Sequence, residues 1–343
     1  RKASYFINDF YNEVRLKSFG KSYFQEVSFP INTFPGRMVV KIDERTLMPG
    51  SDYVVSASSP GDKDTYELVW LQDKEDSTWW ETELRSTSLA DKFVVGALDY
   101  KELKDYNPYH SKGVIILVDS TENLWWHVSD GNVVKDYTTI RMRSHLIDRY
   151  SHEIRVEISN KFIEKYPSNN IIGYVRGSAE PDSFIVITAH YDHLGRMGNM
   201  AYFPGANDNA SGVAMMLDLA KYYTTEGNRP SYSIVFMALC GEETGLHGSR
   251  HFVENPLFPL DNIRFLLNLD MVGTGSTGIT VVNGTVFDEE FEELLRINRE
   301  FLLLRDIKAR GEACNSDHCP FYEKGVPSFF FYTNGKEFNE YHN

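Results

Sequence analysis

Two adjacent glutamates, Glu242 and Glu243, directly follow an apolar run in the segment ALCGEETGLHGS. One solvated acid would serve any structural purpose at the end of a buried strand, so a pair of neighbouring carboxylates requires a chemical reason. Carboxylates in such a position hold metal ions or move protons. The pair therefore directs attention to the acids and histidines that follow the other apolar runs of the chain.

Four strand-like apolar runs are followed by residues of this kind. His190 follows FIVITA, the glutamates follow SIVFMALC, Asp270 follows RFLLNL, and the loop after PSFFFYT ends in Tyr341 and His342. In open α/β sheets the ligand crevice lies outside the carboxyl ends of the strands, so we expect these side chains to converge. A lone histidine or aspartate after a strand is usually a loop or turn residue. Their coincidence at equivalent strand ends indicates a metal site.

Asp208, in the tract PGANDNASG, is the candidate for a residue that bridges two metal ions. An Asn or Asp at the start of a helix usually caps exposed backbone N–H groups. This tract, however, holds Asn207, Asp208, Asn209 and Ser211, which are more polar groups than one helix cap requires. Because a carboxylate has two oxygens, we expect Asp208 to contact two cations.

Histidine nitrogens combined with carboxylate oxygens, and with no thiolate, favour zinc, while cobalt and manganese stay open. Asp192, two residues after His190, is placed to accept the other ring N–H of that histidine and to fix its tautomer. His193, in the same loop, is not expected to be a ligand. If Glu243 holds one metal, Glu242 is free to act as general base on a water shared by two cations. The predicted chemistry is hydrolysis.

Composition limits the class of protein. With 343 residues, 42% of them hydrophobic and 24% charged, the chain is typical of a folded protein with one large domain or two smaller ones. A formal net charge of -14 argues against broad electrostatic attachment to nucleic acid or to an anionic membrane surface. Because no apolar stretch approaches the roughly 20 residues that cross a bilayer, we expect no membrane-spanning segment.

The three cysteines form neither a disulfide scaffold nor a metal-binding pattern. Cys314 and Cys319 are close enough in sequence to pair in an oxidising compartment, and two free thiols are an equal alternative. Cys240 has no such neighbour.

The first half of the chain contains one helix and then a region of β character. Residues 3–18 have the spacing of an amphipathic helix, which Gly20 closes. From about residue 36 to 157, short β-branched and aromatic runs alternate with clusters of Gly, Pro, Asp and Ser. This pattern predicts a smaller, mostly β inserted domain over residues 36–157.

The second half of the sequence contains the strands and helices that are expected to position the candidate residues. From about residue 170 onward, strand-like runs alternate with helical spacing over 211–223 and 287–303, which is typical of parallel strands covered on both faces. We therefore predict an α/β fold, a three-layer sandwich with a mixed, mostly parallel central sheet. Residues 1–35 and 158–343 are expected to form this discontinuous catalytic domain.

Taken in order, six segments resemble the motifs of the co-catalytic di-zinc aminopeptidases, a family related to glutamate carboxypeptidase, the transferrin receptor and the glutaminyl cyclases. The segments are AHYDHLG, GANDNASG, ALCGEETGLHGS, NLDMVG, NSDHCPF, and GVPSFFFYT with EYH. They span about residues 190–342, and YFQE near residue 23 and NIIGYVRG extend the likeness more weakly. The resemblance implies a metal-dependent exopeptidase, foremost an aminopeptidase. Such an enzyme hydrolyses the N-terminal peptide bond of short peptides through a water that bridges two zinc ions.

Carried over residue by residue, the resemblance implies five ligands for two zinc ions: His190 and Asp270 on one ion, Glu243 and His342 on the other, and Asp208 bridging both. Glu242 matches the general base of the family. Tyr341 resembles the tyrosine that in some members donates a hydrogen bond to the oxyanion of the tetrahedral intermediate. His318 in NSDHCPF competes for the place of the final ligand. The family pattern favours His342, because it has a Tyr-His pair shortly after the last strand.

Other functions on a similar scaffold stay open. A glutaminyl cyclase-like transferase would use one zinc, and the complete five-ligand set favours the two-metal enzyme over it. A carboxypeptidase or dipeptidase stays possible because the metal ligands do not determine which end of a peptide enters. A binding protein that has lost catalysis is disfavoured, since the ligands and Glu242 are intact.

The inserted domain and the start of the chain give two further expectations. In position and β character the insert resembles the protease-associated domain that some relatives carry, and we expect it to limit access to short peptides. The chain begins at Arg1 without a methionine. Together with the habits of the similar family, this favours export, so we expect a secreted or periplasmic protein.

Overall fold

The computed structural model of the chain describes residues 2–70, 88–96, 107, 110–337 and 342. The strands are β1 (Phe24–Thr33), β2 (Met38–Ile42), β3 (Arg45–Leu47), β4 (Tyr53–Val55), β5 (Asp62–Trp70), β6 (Lys92–Val95), β7 (Gly113–Val118), β8 (Thr138–Arg143), β9 (Glu153–Ile158), β10 (Lys161–Val175), β11 (Glu180–His190), β12 (Gly195–Met197), β13 (Ala201–Phe203), β14 (Tyr232–Leu239), β15 (Ile263–Leu269), β16 (Gly278–Val282), β17 (Ile307–Ala309) and β18 (Ser328–Asn334). The helices are α1 (Lys2–Glu13), α2 (Gly212–Thr224), α3 (His247–Glu254), α4 (Asp288–Phe301) and α5 (His318–Tyr322).

The chain divides into two compact units. The first unit comprises Arg1–Ser28, Pro167–His193 and Gly205–Tyr341, and the second comprises Phe29–Tyr166, Leu194–Pro204 and His342–Asn343. Most of the candidate site residues belong to the first unit. His342 belongs to the second.

The sheet that positions the candidate residues has the strand order β1-β10-β14-β11-β15-β18-β16-β17. Its centre is parallel, because β11 pairs in parallel with both β14 and β15, and β15 pairs in parallel with β18. Towards the edges, β10 runs antiparallel to β14, and β16 runs antiparallel to β18. The predicted mixed, mostly parallel sheet is therefore confirmed.

Helices cover both faces of this sheet, as the continuous apolar character of its central strands requires. Successive side chains of a strand point to opposite faces, and β14 divides accordingly between two cores. Phe236 and Ala238 join the core under α1 and α2, whereas Val235 and Met237 join the core under α3 and α5. The three layers of the predicted sandwich follow from this alternation.

Helix α1 is shorter than the predicted helix over 3–18, because it ends at Glu13. Arg15 adopts a φ of 58°, a left-handed conformation that an α-helix cannot continue. Two residues of the predicted last turn pack or pair with the sheet instead. Leu16 is buried in the core, and Lys17 forms an antiparallel β-bridge with Tyr174. The apolar spacing that suggested a longer helix therefore comes partly from extended chain.

The second unit contains a sheet with the order β3-β2-β9-β5-β6-β7-β8-β4. Strands β5, β6, β7 and β8 are parallel neighbours, and the pairs β2 with β3, β2 with β9, β5 with β9, and β4 with β8 are antiparallel. Its core is built from buried residues of these strands, among them Val40, Phe93, Ile115 and Ile140. In the described part of the chain, no helix has the length and apolarity needed to cross a membrane.

Candidate metal centre

The candidate residues of the first unit gather at the carboxyl edge of the parallel strands. His190 is the last residue of β11, Glu242 and Glu243 follow the end of β14, and Asp270 follows the end of β15. Because these three strands are parallel neighbours, their carboxyl ends lie at one edge of the sheet. The strand order thus brings together side chains that are up to 80 residues apart in sequence.

Two groups of histidine and carboxylate side chains result. In each, one ligand atom per residue lies within 4.8 Å of the others. The first group contains His190, Glu242 and Asp270, and the second contains His193, Asp208 and Glu243. Four members are buried and two, Glu242 and His193, are partly exposed. Imidazole nitrogens with carboxylate oxygens are the donor set that zinc prefers over magnesium or calcium, so both groups fit a zinc ion chemically.

Asp208 links the two groups. One carboxylate oxygen, Oδ1, lies 3.2 Å from Nε2 of His190, and the other, Oδ2, lies 3.9 Å from Nδ1 of His193. The same Nε2 of His190 is 3.3 Å from Oδ1 of Asp270. One imidazole nitrogen therefore faces two carboxylates. A single proton on this nitrogen points towards only one of them well, whereas a cation satisfies all three groups.

The polar tract around Asp208 is fixed by hydrogen bonds to the segment that follows β15. Backbone N–H groups of that segment donate to three side chains of the tract: Met271 to Asn209 Oδ1, Val272 to Ser211 Oγ, and Gly273 to Asn207 Oδ1, at 3.2, 3.0 and 2.8 Å. Asn209 also donates to the carbonyl of Leu269 and accepts the N–H of Gly212 at the start of α2. These bonds explain the excess of polar groups in the tract, and they hold Asp208 beside Asp270.

Asp270 is held by a buried chain of hydrogen bonds that crosses the sheet. Thr188 donates to Asn268 Oδ1 at 2.6 Å, Asn268 donates to Ser316 Oγ at 2.8 Å, and Ser316 donates to Asp270 Oδ2 at 2.8 Å. Because Ser316 occupies Oδ2, Oδ1 of Asp270 is the oxygen directed at His190.

Asp192 joins the end of β11 to the loop after β14. Its carboxylate accepts the backbone N–H groups of Glu242 and Glu243, at 3.3 and 3.4 Å. Nδ1 of His190 lies 3.1 Å from the backbone carbonyl of Asp192 and 3.9 Å from its carboxylate. The carbonyl is thus the nearer acceptor for the ring N–H of His190.

The electrostatics of the site follow from this concentration of carboxylates. Burial by itself lowers the pKa of His190, but the charges of Asp270 and Glu242 outweigh burial and raise that pKa well above its usual value. Burial also raises the pKa of the Glu242 carboxyl well above its usual range, and Asp270 adds to this against the opposing effect of His190.

Not every predicted residue lies in these groups. His342 is buried and belongs to the second unit. Its ring makes an edge-to-face contact with His127, with the ring centroids 5.1 Å apart, and its backbone carbonyl accepts the N–H of Trp126. His318 is buried with its Nε2 at 2.8 Å from the carbonyl of Ala313 and is part of neither group. Tyr341 lies outside the described residues.

His193 is the residue of these groups that sequence reasoning set aside. Its Nδ1 lies 2.6 Å from Oε1 of Glu243. The signal was its position three residues after His190 in AHYDHLG. A histidine there is indistinguishable from an ordinary loop histidine until the loop is folded against the end of β14.

Of the two alternatives for Cys314 and Cys319, the structure shows the disulfide. Cys314 and Cys319 form a disulfide with a Cα–Cα distance of 4.9 Å, and Cys240 is a free, buried thiol. The disulfide brackets Ser316, which supports Asp270.

Comparison with known proteins gives the following relatives. The sequence profile of peptidase family M28 matches residues 170–343. Over 114 residues, 32% of this chain and 22% of the relative, the chain is 40% identical to a probable zinc metalloprotease of Pyricularia oryzae. It is 28% identical to aminopeptidase YwaD of Bacillus subtilis over 243 residues, 68% of this chain and 50% of the relative. The chain thus spans only about a fifth to a half of the length of these curated relatives.

Two solved structures have a similar fold. A zinc aminopeptidase from Bacillus subtilis superposes with a TM-score of 0.71 at 23% identity, over 100% of this chain and 82% of that chain. An aminopeptidase from an Aneurinibacillus strain gives a TM-score of 0.68 at 20% identity, over 100% of this chain and 81% of that chain. At these identities the likeness establishes the mixed α/β fold.

Proposed function

Because the chain belongs to peptidase family M28, we propose that it is a zinc-dependent aminopeptidase that hydrolyses the N-terminal peptide bond of short peptides. The observation that carries this proposal is the position of Asp208, whose two carboxylate oxygens face two different histidines, His190 and His193. A carboxylate with one oxygen towards each of two neighbouring donor sets is suited to bridge two cations. The names of the relatives, an aminopeptidase and a zinc metalloprotease, agree with this proposal.

Four of the five residues that we propose as zinc ligands are members of the two groups. His190 and Asp270 would hold one ion, Glu243 would hold the other, and Asp208 would bridge them. For the histidine of the second ion we keep the motif-based choice, His342, with His193 as its rival. Zinc bound there would act as a Lewis acid that polarises the scissile carbonyl and acidifies the attacking water.

The chain's own residues supply the proton transfers. Glu242 remains partly exposed beside His190 and Asp270, so its carboxylate can reach a water molecule from the solvent. We infer that it accepts the proton of that water and passes it to the amine of the leaving peptide. Tyr341 is proposed to donate a hydrogen bond to the oxyanion of the tetrahedral intermediate.

The names of the relatives favour an aminopeptidase over a carboxypeptidase. YwaD of Bacillus subtilis, which matches 68% of this chain, is an aminopeptidase.

The test is an assay of aminoacyl p-nitroanilides and their N-acetylated counterparts. We expect hydrolysis of the free-amine substrates only, loss of activity after treatment with a chelator, and recovery on addition of zinc. Equal turnover of N-acetylated substrates, or full activity in excess chelator, would contradict the proposal.

A further inference from the structure

The loop that carries Glu242 and Glu243 is closed at its two ends. The N–H of Gly248 donates to the carbonyl of Cys240 at 2.7 Å, so the loop begins and ends at one backbone hydrogen bond. A Cβ on Gly248 would lie 2.4 Å from Oδ1 of Asn170 and 2.5 Å from the carbonyl of Cys240. Only glycine permits this approach without a shift of the surrounding atoms.

The side chain of Asn170 joins both ends of this loop. Its Oδ1 accepts the N–H of Cys240 at 3.2 Å, and its Nδ2 donates to the carbonyl of Gly248 at 2.9 Å. The same Nδ2 donates to Oε1 of Gln25 at 2.9 Å, and Gln25 donates in turn to the carbonyl of Asn255. Asn170 has no exposed surface, so each of these bonds is formed without competition from water.

The position of Asn170 in the sheet explains why this residue has that task. The pairing of β10 with β14 reaches Ile171 and Ala238, and beyond that pair the chain of β14 leaves the ladder towards the glutamates. Asn170 is the next residue of β10. Its side-chain amide offers one acceptor and two donors, which continue the hydrogen bonding where the backbone ladder ends.

We propose that Asn170 is a positioning residue for Glu242 and Glu243. By holding the first and last residues of their loop together, it fixes the direction in which the two carboxylates leave the end of β14. This inference rests on the proposed function, because it assigns Asn170 an effect on the zinc ligand Glu243 and on the general base Glu242.

The test compares three variants of the full chain. Asn170→Ala removes all the side-chain bonds, and Asn170→Asp keeps the acceptor for the Cys240 N–H but loses the amide donors. The matched control is Asn32→Ala in the second unit. Asn32 is also buried, and its Nδ2 donates to the carbonyls of Ala57 and Ser59, both at 2.8 Å.

For Asn170→Ala we expect kcat and zinc affinity each to fall about 10- to 100-fold, the usual effect of losing a group that orients a metal ligand. KM should change little, because Asn170 does not contact substrate. Asn170→Asp turns a carboxylate oxygen towards two acceptors, the carbonyl of Gly248 and Oε1 of Gln25, so both quantities should fall at least as far. Asn32→Ala should lower the melting temperature comparably while kcat and zinc affinity stay at the wild-type level. Zinc affinity is measured by competition with a chromogenic chelator.

If Asn170→Ala and Asn32→Ala have the same kcat and the same zinc affinity, Asn170 contributes only to stability and the proposal is overturned. If Asn170→Ala does not fold, wild-type kcat and zinc affinity in Asn170→Asp would overturn it instead. Should the wild-type protein prove inactive on peptides, the proposed function fails, and a reduced zinc affinity in the Asn170 variants would still support the positioning role.

Discussion

Nδ1 of His193 lies 2.6 Å from the carboxylate Oε1 of Glu243. The two residues come from the ends of neighbouring parallel strands, β11 and β14. The sequence motifs had assigned the histidine partner of Glu243 to His342, which belongs to the second unit. The distance and the motifs therefore favour different histidines as the ligand of the proposed second zinc ion, and the two assignments predict different metal contents for the histidine variants.

We expect His342→Ala to bind about one zinc per chain instead of about two, since the motif-matched histidine supplies one of the few ligands of its ion. His193→Ala should keep both ions. The measurement is metal content by atomic emission after dialysis against metal-free buffer. If His193→Ala loses one ion and His342→Ala keeps two, then His193 is the ligand and the motif-based assignment is wrong.

Glu242→Gln should lower kcat about 10²- to 10⁴-fold, because glutamine matches the shape of glutamate but cannot accept a proton at neutral pH. Its zinc content should stay near the wild-type value. Glu243→Gln is the matched comparison, since the neighbouring residue is expected to lose zinc as well as activity. Substantial turnover by Glu242→Gln would show that another group is the base.

The effect of zinc on folding tests the centre without any substrate. A cation that binds only the folded chain should relieve the repulsion among Asp208, Glu243 and Asp270. It should stabilise the protein by about 3 kcal/mol at a free concentration of about 100 times Kd. We expect a chelator to lower the melting temperature in calorimetry and added zinc to restore it. In Asp208→Asn the change in melting temperature on adding zinc should be much smaller. A change as large as that of the wild-type protein would show that Asp208 does not bind zinc.

The gathering of the candidate residues at one edge of the sheet could be predicted from the sequence. The side-chain hydrogen bonds that support these residues could not. Apolar runs followed by His190, Glu242 and Asp270 are local patterns, and the parallel order of the strands makes their convergence a consequence of the fold. The support given by Asn170 and Ser316 depends on side-chain hydrogen bonds between residues 46 to 78 positions apart. Spacing along the chain carries no signal for such bonds, since a polar residue near a strand usually faces solvent.

The buried His318 should make stability depend on pH. Burial lowers its pKa to about 4, opposed by its bond to the carbonyl of Ala313. The unfolded chain, with a histidine pKa of about 6.5, binds this proton more tightly, so the stabilisation is complete above about pH 6.5 and is lost as pH falls towards 4. The difference of about 2.5 units corresponds to about 3 kcal/mol.

His318→Gln keeps a donor for Ala313 and removes the titration. Its free energy of unfolding, from urea curves at pH 4.5 and pH 7, should therefore vary with pH by less than that of the wild-type protein. Because the other titrating groups are common to both proteins, the difference between the two slopes isolates His318. Identical slopes would mean that His318 is not buried in its neutral form.

The thiols give a prediction that needs neither activity nor metal. Burial raises the pKa of Cys240 to about 12 and leaves the side chain 1% exposed, so the reactive thiolate is absent at pH 8 and the sulfur cannot be reached. Cys314 and Cys319 are paired with each other.

Iodoacetamide at pH 8 should therefore add no label to the native protein, one label in guanidinium without a reductant, and three after reduction. Mass spectrometry of the intact protein counts the labels. Three labels in guanidinium without reductant would exclude the disulfide, and one label on the native protein would show that Cys240 is accessible.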